Sequence, residues 1–307
     1  LRTSAPCDSA PEGNSYQRLR RIRTGDGSLV ADLLSLYWFQ EQIMHLERIL
    51  RTTQATVADR KSRAPLHDLE RRAPEHSPRG FARALRLQAA QGPAIIAELK
   101  KASPSKGLIR EDFDPAVLAR SFEVGGATAL SVLTDEPYFQ GSLQNLEVAS
   151  SVTSLPCLRK DFIVDEYQIV EAQAHRADAI LLIAAALSDA DLARFTESAH
   201  GYGLDVLCEV HTAEELDRVA GLGCDAYGVN NRNLSTFEVS LETSFDLVDR
   251  LPAGALRVAE SGIHTNDDIE RLRAAGFDAF LIGESLMRQA DPGAALRALL
   301  SPVAERV

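Results

Sequence analysis

The sequence predicts an α/β chain built as a parallel (β/α)8 barrel of the TIM type, with extra N-terminal helices. Three observations carry that expectation. From Pro93 onward an apolar run, a polar loop and a helix pattern recur in that order, at a spacing of roughly 25 to 30 residues. Several apolar runs end in charged or amide residues, as the working face of a barrel requires. No GxGxxG opens the first turn, which speaks against a doubly wound open sheet.

Residues 1–30 are rich in Ser, Gly, Pro and Arg and show no hydrophobic period. We expect a disordered tail there, although the basic run Arg18 to Arg23 would also suit a transit peptide or a polyanion-binding arm. The first methionine is Met44, so residues 1–43 are expected to be a disordered or non-native extension, with the native product starting near Met44. N-terminal mass spectrometry of protein from its own source tests this, and a mature start before Leu33 would refute it. Leu46, Ile49 and Leu50 open a helical pattern running toward Lys61. Leu66, Leu69 and Ala73 suggest a second helix, and 81–89 a third after the Pro78-Arg79-Gly80 break. Residues 44–92 therefore read as a helical extension that caps or braces the main domain, and 93–307 as the barrel.

The expected strands are 94–99, 129–133, 157–160, 179–183, 205–209, 226–230, 256–260 and 279–282. Helix patterns lie at 115–124, 165–174, 189–199, 213–220, 241–251 and 266–275. Asp114, Ser188 and Thr212 stand where N-caps belong, and Gly125-Gly126, Gly221 and Gly276 where helices close.

Composition bounds the function. The chain has 307 residues, 45% hydrophobic and 25% charged, and a net charge of −11, which excludes a general nucleic-acid footprint but not a local basic pocket for a small anion. Cys7, Cys157, Cys208 and Cys224 show no CxxC or zinc spacing and read as thiols of a reducing, cytoplasmic compartment. The histidines form no HxxxH or HExxH pair, so no metal is expected, and no apolar run is long enough to span a membrane.

Ile95 to Gly107 reads IIAELKKASPSKG. Side chains alternate along a strand, so Glu98 and Lys100 share one face, opposite Ala97 and Leu99. A charged pair inside a core strand is costly unless paired or put to use. The Ser103-Pro104-Ser105-Lys106-Gly107 loop that follows suits an anion such as phosphate. The same stretch also reads as a strand-end ion pair and an ordinary surface loop, and alone it does not separate the two. The other strand ends add weight. They carry Lys160-Asp161-Phe162, Glu209, Asn230-Asn231-Arg232-Asn233, Glu260-Ser261-Gly262 and Gly283-Glu284. In a barrel all of these converge on one mouth. Lysines and glutamates packed together shift one another's pKa in both directions, so acids and bases coexist at neutral pH. Backbone N–H groups at Gly262 and Gly283 suit phosphate. The residues themselves point to a cofactor-free acid–base enzyme acting on a phosphorylated small molecule.

IIAELKKASPSKG, SVLTDEPYFQGS, LRKDFIVDEYQIVEA, LCEVH, GVNNRNL, AESGI and FLIGESLM, in this order, closely resemble indole-3-glycerol-phosphate synthase from about Met44 to the C-terminus. The resemblance implies a (β/α)8 barrel with extra N-terminal helices. It implies conversion of 1-(2-carboxyphenylamino)-1-deoxyribulose 5-phosphate to indole-3-glycerol phosphate, with loss of carbon dioxide and water, in tryptophan biosynthesis. Association with other enzymes of that pathway is compatible with it. Lys160 would be the general acid and Glu209 the general base, with Glu98 and Lys100 a second base and acid. Lys100 and Ser261 would contact the substrate near its carboxylate, and Asn230 and Glu260 would orient the reacting groups. Phe139, Phe162 and Leu234 would wall the aromatic ring, although they equally read as plain core. Ser103, Gly262 and Gly283 would hold the phosphate, with Arg232 nearby. Glu284 reads as a solvated helix-start residue. A fused isomerase activity is not expected, because the Glu98–Lys100 pair replaces the strand-one cysteine of that family. The competing reading from another class is a barrel that binds phosphosugars without chemistry.

Overall fold

In the computed structural model, residues 27–234 and 236–301 are described, with side chains from residue 45 onward. Eight strands close into one parallel barrel: β1 (Ala94–Leu99), β2 (Ala129–Leu133), β3 (Cys157–Lys160), β4 (Ala179–Ile183), β5 (Asp205–Val210), β6 (Ala226–Asn230), β7 (Leu256–Glu260) and β8 (Ala279–Ile282). Each pairs with its sequence neighbours, and β1 closes the ring by pairing with β2 and β8. The strand spans expected from sequence agree with these, β5 being one residue longer. Solved barrels are built this way because right-handed crossovers return each strand beside the last, with its helix outside.

The alternation of side chains sorts the core into two. Ala97 and Leu99 join the outer cluster between barrel and helices, while Ile96 joins the inner one with Ala129, Leu158, Leu181, Leu207 and Val258. The lower barrel is thus filled by aliphatic side chains. Toward the strands' C-terminal ends the inward positions become Glu98, Lys160, Glu209, Asn230 and Glu260. Register sets these level: Leu133 pairs with Lys160, Ile183 with Glu209, and Asn230 with Glu260.

The N-terminal helices are α1 (Gly27–Arg63), α2 (Leu66–Arg72) and α3 (Phe81–Ala89). α1 begins well before Leu46, where the sequence pattern places its start, and takes in residues 27–43; residues 1–26 of the expected extension lie outside the described residues. α3 plugs the bottom of the barrel with Phe81 and Leu85, both fully buried. It is fastened there by Asp205, whose carboxylate accepts the Ala82 N–H at 2.8 Å. Asp178 is the larger latch: its carboxylate accepts from His76, from the Arg79 backbone and guanidinium, and from the Cys157 N–H.

Asp114, Ser188 and Thr212 cap their helices as expected, and Gly126 and Gly276 close theirs in the left-handed region. Gly221 does not: Ala220 closes that helix one residue earlier, in right-handed geometry. Besides the short helix Glu136–Phe139, two longer helices fall outside the sequence patterns, Leu143–Val152 and Pro292–Leu300. The first of these two is rich in Ser, Asn and Val, poor helix formers that tertiary packing of Leu146 and Ala149 overrides.

Candidate active site

One cavity of about 450 Å³ opens at the C-terminal ends of the strands. Every site residue expected from sequence lines it: Glu98, Lys100, Ser103, Phe139, Lys160, Phe162, Glu209, Asn230, Arg232, Leu234, Glu260, Ser261, Gly262 and Gly283. The strand-end convergence that the barrel topology demands is therefore present.

Its floor is ionic. Lys160 Nζ donates to Glu209 Oε2 at 3.1 Å, and Lys100 Nζ lies 2.5 Å from Glu98 Oε1. Burial alone would push Lys160 down; Glu209, Glu260 and Glu98 together carry it above the ordinary lysine value. Burial would likewise raise Glu209, but Lys160 and then His211 hold its carboxyl well below the usual carboxylate range. Glu260 goes the other way. It is 1% exposed, its Oε1 has no hydrogen-bond partner, and burial together with the Glu209 charge pushes it well above the usual range. The floor sets Lys160 and Glu209, each held toward its charged form, beside Glu260, which is held toward its neutral form. Acids and a base thus coexist in one dry pocket.

Two glycines make room for this cluster. A Cβ built on Gly228 of β6 would sit 2.2 Å from Glu260 Oε1, and one on Gly283 would sit 2.3 Å from Glu98 Oε1 and 3.0 Å from Glu98 Cβ. Behind β3, Arg159 is fully buried and points outward. It donates to Asp161 and Glu171 at 2.9 Å and to the Gln168 carbonyl at 2.7 Å. Since Lys160 stands between Arg159 and Asp161, that network fixes the strand end from which the lysine projects.

One wall is apolar. The Phe139 and Phe162 rings lie 6.5 Å apart and tilted, with Leu234 alongside and Leu46 and Ile49 contributed by α1. α1 is held over the mouth by Lys61 on Asp165 at 2.6 Å and by Thr52 on Tyr138 at 2.9 Å. The opposite rim is polar. Ser103 Oγ is buried without a partner, and Ser261 and Gly262 both take left-handed backbone, φ 64° and 79°. The two residues make a tight turn directly after β7. Asn231 braces it, donating from Nδ2 to the Ser261 carbonyl at 3.2 Å. Glu284 is not a freely solvated residue: its side chain is 21% exposed, lines the cavity and pairs with Arg232 at 3.5 Å and Arg288 at 2.9 Å.

Lining residues that the sequence gives no role include Asp135, Phe237 and His264. Asp135 caps the short helix Glu136–Phe139 by accepting from the Tyr138 and Phe139 N–H groups, and burial raises its pKa to about 6. Among the described residues no group of His, Cys, Asp and Glu is arranged to hold a metal ion.

The likeness to known proteins agrees with this geometry. Solved barrels of low identity share the fold: a 3-hexulose-6-phosphate synthase (TM-score 0.54, 15% identity, covering 67% of this chain and 97% of that one) and a mutant tryptophan synthase α-subunit from Pyrococcus furiosus (TM-score 0.53, 16% identity, covering 67% and 97%). At far higher identity, the indole-3-glycerol phosphate synthase of Koribacter versatilis is 60% identical over 255 residues, covering 83% of this chain and 98% of that protein. That of Azospirillum brasilense is 53% identical over 258 residues, covering 83% and 98%. The family model described as indole-3-glycerol phosphate synthase matches residues 46–299, and the chain belongs to that family.

Proposed function

We propose that this cavity closes, decarboxylates and dehydrates 1-(2-carboxyphenylamino)-1-deoxyribulose 5-phosphate to indole-3-glycerol phosphate by lysine and glutamate acid–base catalysis. The family makes the chain a carboxy-lyase of tryptophan biosynthesis, and the phosphorylated substrate is consistent with it. The observation that carries the mechanism is the pair of ammonium–carboxylate contacts, Lys160 with Glu209 and Lys100 with Glu98, on the floor of one cavity.

In the mechanism we infer, the phosphate binds at Ser103, Gly262 and Gly283 with Arg232 nearby, and Lys100 and Ser261 meet the substrate carboxylate. Phe139, Phe162 and Leu234 fold the aromatic ring onto the ketone, removing the orientational entropy of ring closure. The ring carbon bearing the carboxylate attacks the ketone carbon as Lys160 protonates the ketone oxygen. The ring then carries an iminium, an electron sink into which the carboxylate's C–C bond breaks, releasing carbon dioxide and restoring aromaticity. Loss of the new hydroxyl as water takes a second proton, and Glu209 removes the proton from the carbon next to nitrogen. Asn230 and Glu260 orient these groups.

We also propose that residues 44–92 brace the barrel formed by 93–307, with 1–43 outside the catalytic unit. The buried free thiols Cys157, Cys208 and Cys224 favour the cytoplasm as its compartment, and association with other tryptophan-pathway enzymes is the partner we propose. No helix among the described residues is long and apolar enough to cross a membrane. The test is a fluorescence assay for the indole product with purified protein, the carboxyphenylamino-deoxyribulose phosphate and EDTA. Turnover supports the lyase; substrate binding without turnover would move the assignment to a non-catalytic phosphosugar-binding barrel.

A further inference from the structure

Glu209 has two oxygens, and only one is accounted for by Lys160. Behind the cavity wall, His211 Nε2 lies 3.3 Å from Glu209 Oε1, while its Nδ1 lies 3.2 Å from Glu215 Oε2. The first is a charge contact rather than an aligned hydrogen bond, since the Nε2 geometry satisfies no acceptor. Glu215 is itself fixed, because its Oε2 also accepts the His211 backbone N–H at 2.7 Å. The imidazole is 9% exposed and does not line the cavity. With a carboxylate oxygen within 3.3 Å of each nitrogen, the ring is favoured in its doubly protonated form, Nδ1–H donating to Glu215 and the positive charge facing Glu209.

We propose that His211 is a positioning residue for the lyase chemistry: as an imidazolium wedged between Glu215 and Glu209, it keeps Glu209 ionised once Lys160 has given up its proton. The proposal rests on the assignment of Glu209 as base. Lys160 is the nearest cation to Glu209 in the resting site, and the ring-closing step discharges it onto substrate. From that moment Glu209 faces Glu260, a buried carboxyl that the Glu209 charge helps hold toward its protonated form. Without a second cation the Glu260 proton would be shared with Glu209, which then could not act as base. The groups facing this arrangement are Glu215 from the following helix, Lys160 from β3, Glu98 from β1, Glu260 from β7 and the Asn230 amide from β6. Charge alternates along Glu215, His211, Glu209 and Lys160, so loss of His211 leaves two carboxylates facing one ammonium.

The test uses the full chain. In 15N-histidine-labelled protein, the signal absent from His211→Gln is followed with pH; it is expected to be doubly protonated at neutral pH and to titrate near pH 9. A His211 that is neutral at pH 7.5 overturns the proposal. This arm needs no turnover, so it stands apart from whether the lyase assignment holds. In kinetics, His211→Gln should lower kcat roughly 10-fold or more while KM stays within about 2-fold, since the substrate meets no atom of His211. The wild-type alkaline limb set by His211 should disappear. Unchanged kcat and pH profile would refute the role. Glu215→Gln keeps an acceptor for the His211 N–H and serves if His211→Gln does not fold. It should lower the His211 midpoint and carry the alkaline limb of kcat down with it; a limb that stays put while the midpoint moves overturns the proposal.

Discussion

Gly228→Ala isolates one carboxylate. The backbone of Gly228 lies in an ordinary strand conformation, so alanine meets no strain from φ, and the obstacle is steric alone. The new Cβ would stand 2.2 Å from Glu260 Oε1, with the next atoms, Glu260 Cδ and Leu207 Cδ1, each at 3.3 Å. The far end of Glu260 must move by about the ångström that separates 2.2 Å from ordinary contact, while Leu207 need give only slightly. Glu260 is buried beside Glu209, so it cannot swing into solvent; it must tilt within the ionic floor. Overpacking of this size costs about 1–3 kcal/mol of stability. A misplaced group at this range lowers kcat by roughly 10²-fold. The assay is a double-mutant cycle with Glu260→Ala, reading urea unfolding and kcat. In the Glu260→Ala background the clash is gone, so Gly228→Ala should cost within about 0.5 kcal/mol of nothing and leave the residual kcat unchanged. If Gly228→Ala is as harmful with Glu260 removed as with it present, the cause is not this carboxylate and the reasoning fails.

Three further perturbations probe other parts of the molecule. Lys160→Ala should lower kcat by roughly 10²–10⁴-fold with a milder change in KM, as loss of a general acid does; a variant retaining most of its turnover removes Lys160 from the mechanism. Ser103→Ala should raise KM with little change in kcat, because the hydroxyl is expected to meet the phosphate, and an unchanged KM rejects that contact. Asp178→Ala strips the latch beneath the barrel, removing the carboxylate partner of the Arg79 guanidinium and leaving the Cys157 N–H without its acceptor, and should destabilise the fold by about 3–5 kcal/mol in denaturant unfolding. Its sign with pH follows from burial opposed by the His76 and Arg79 contacts, which hold Asp178 below its ordinary value. The stabilisation is complete above the unfolded value near 3.9 and fades as pH falls through the folded one, so wild type and variant should converge in acid. A difference that persists undiminished in acid would mean the carboxylate charge is not the cause.

The mouth of the barrel was legible in the sequence because two simple rules place it. Alternation put Glu98 inward with Ile96, and the working end of a parallel barrel collected Lys160, Glu209, Asn230 and Glu260 from separate strands. What stayed hidden depends on docking or register that no local pattern encodes. Leu46 and Ile49 read as an amphipathic stripe, and their place in the cavity wall follows only once Lys61 and Thr52 anchor α1 over the mouth. Asp135 reads as a helix cap, which it is, and its second face on the cavity gives no separate signal. His211 was visible within LCEVH, but its meaning lies in Glu215 one helical turn beyond the strand end. Gly228 and Gly283 are silent as letters; only the packing across β6–β7 and β8–β1 shows which carboxylates need their missing Cβ.

The proton balance of the proposed reaction explains why the floor holds more acids than bases. Ring closure puts one proton on the ketone oxygen, dehydration puts another on the departing hydroxyl, and formation of the new ring double bond takes one away from the carbon next to nitrogen. Two protons go in and one comes out, because a carboxylate enters and neutral carbon dioxide leaves. The cavity offers Lys160, Lys100 and Glu260, which is held toward its neutral form, as three donors against two carboxylates, Glu209 and Glu98, in the matching direction of excess. The proton that Glu209 collects has a short route back, since Lys160 Nζ is 3.1 Å away. The other must come from outside. Lys100, with 16% of its side chain exposed at the mouth, is open to recharging by solvent, whereas Glu260, 1% exposed on the floor, is not. In this division Lys160 and Glu209 pass one proton between them through the cycle, and Lys100 takes up the one proton consumed by each turnover.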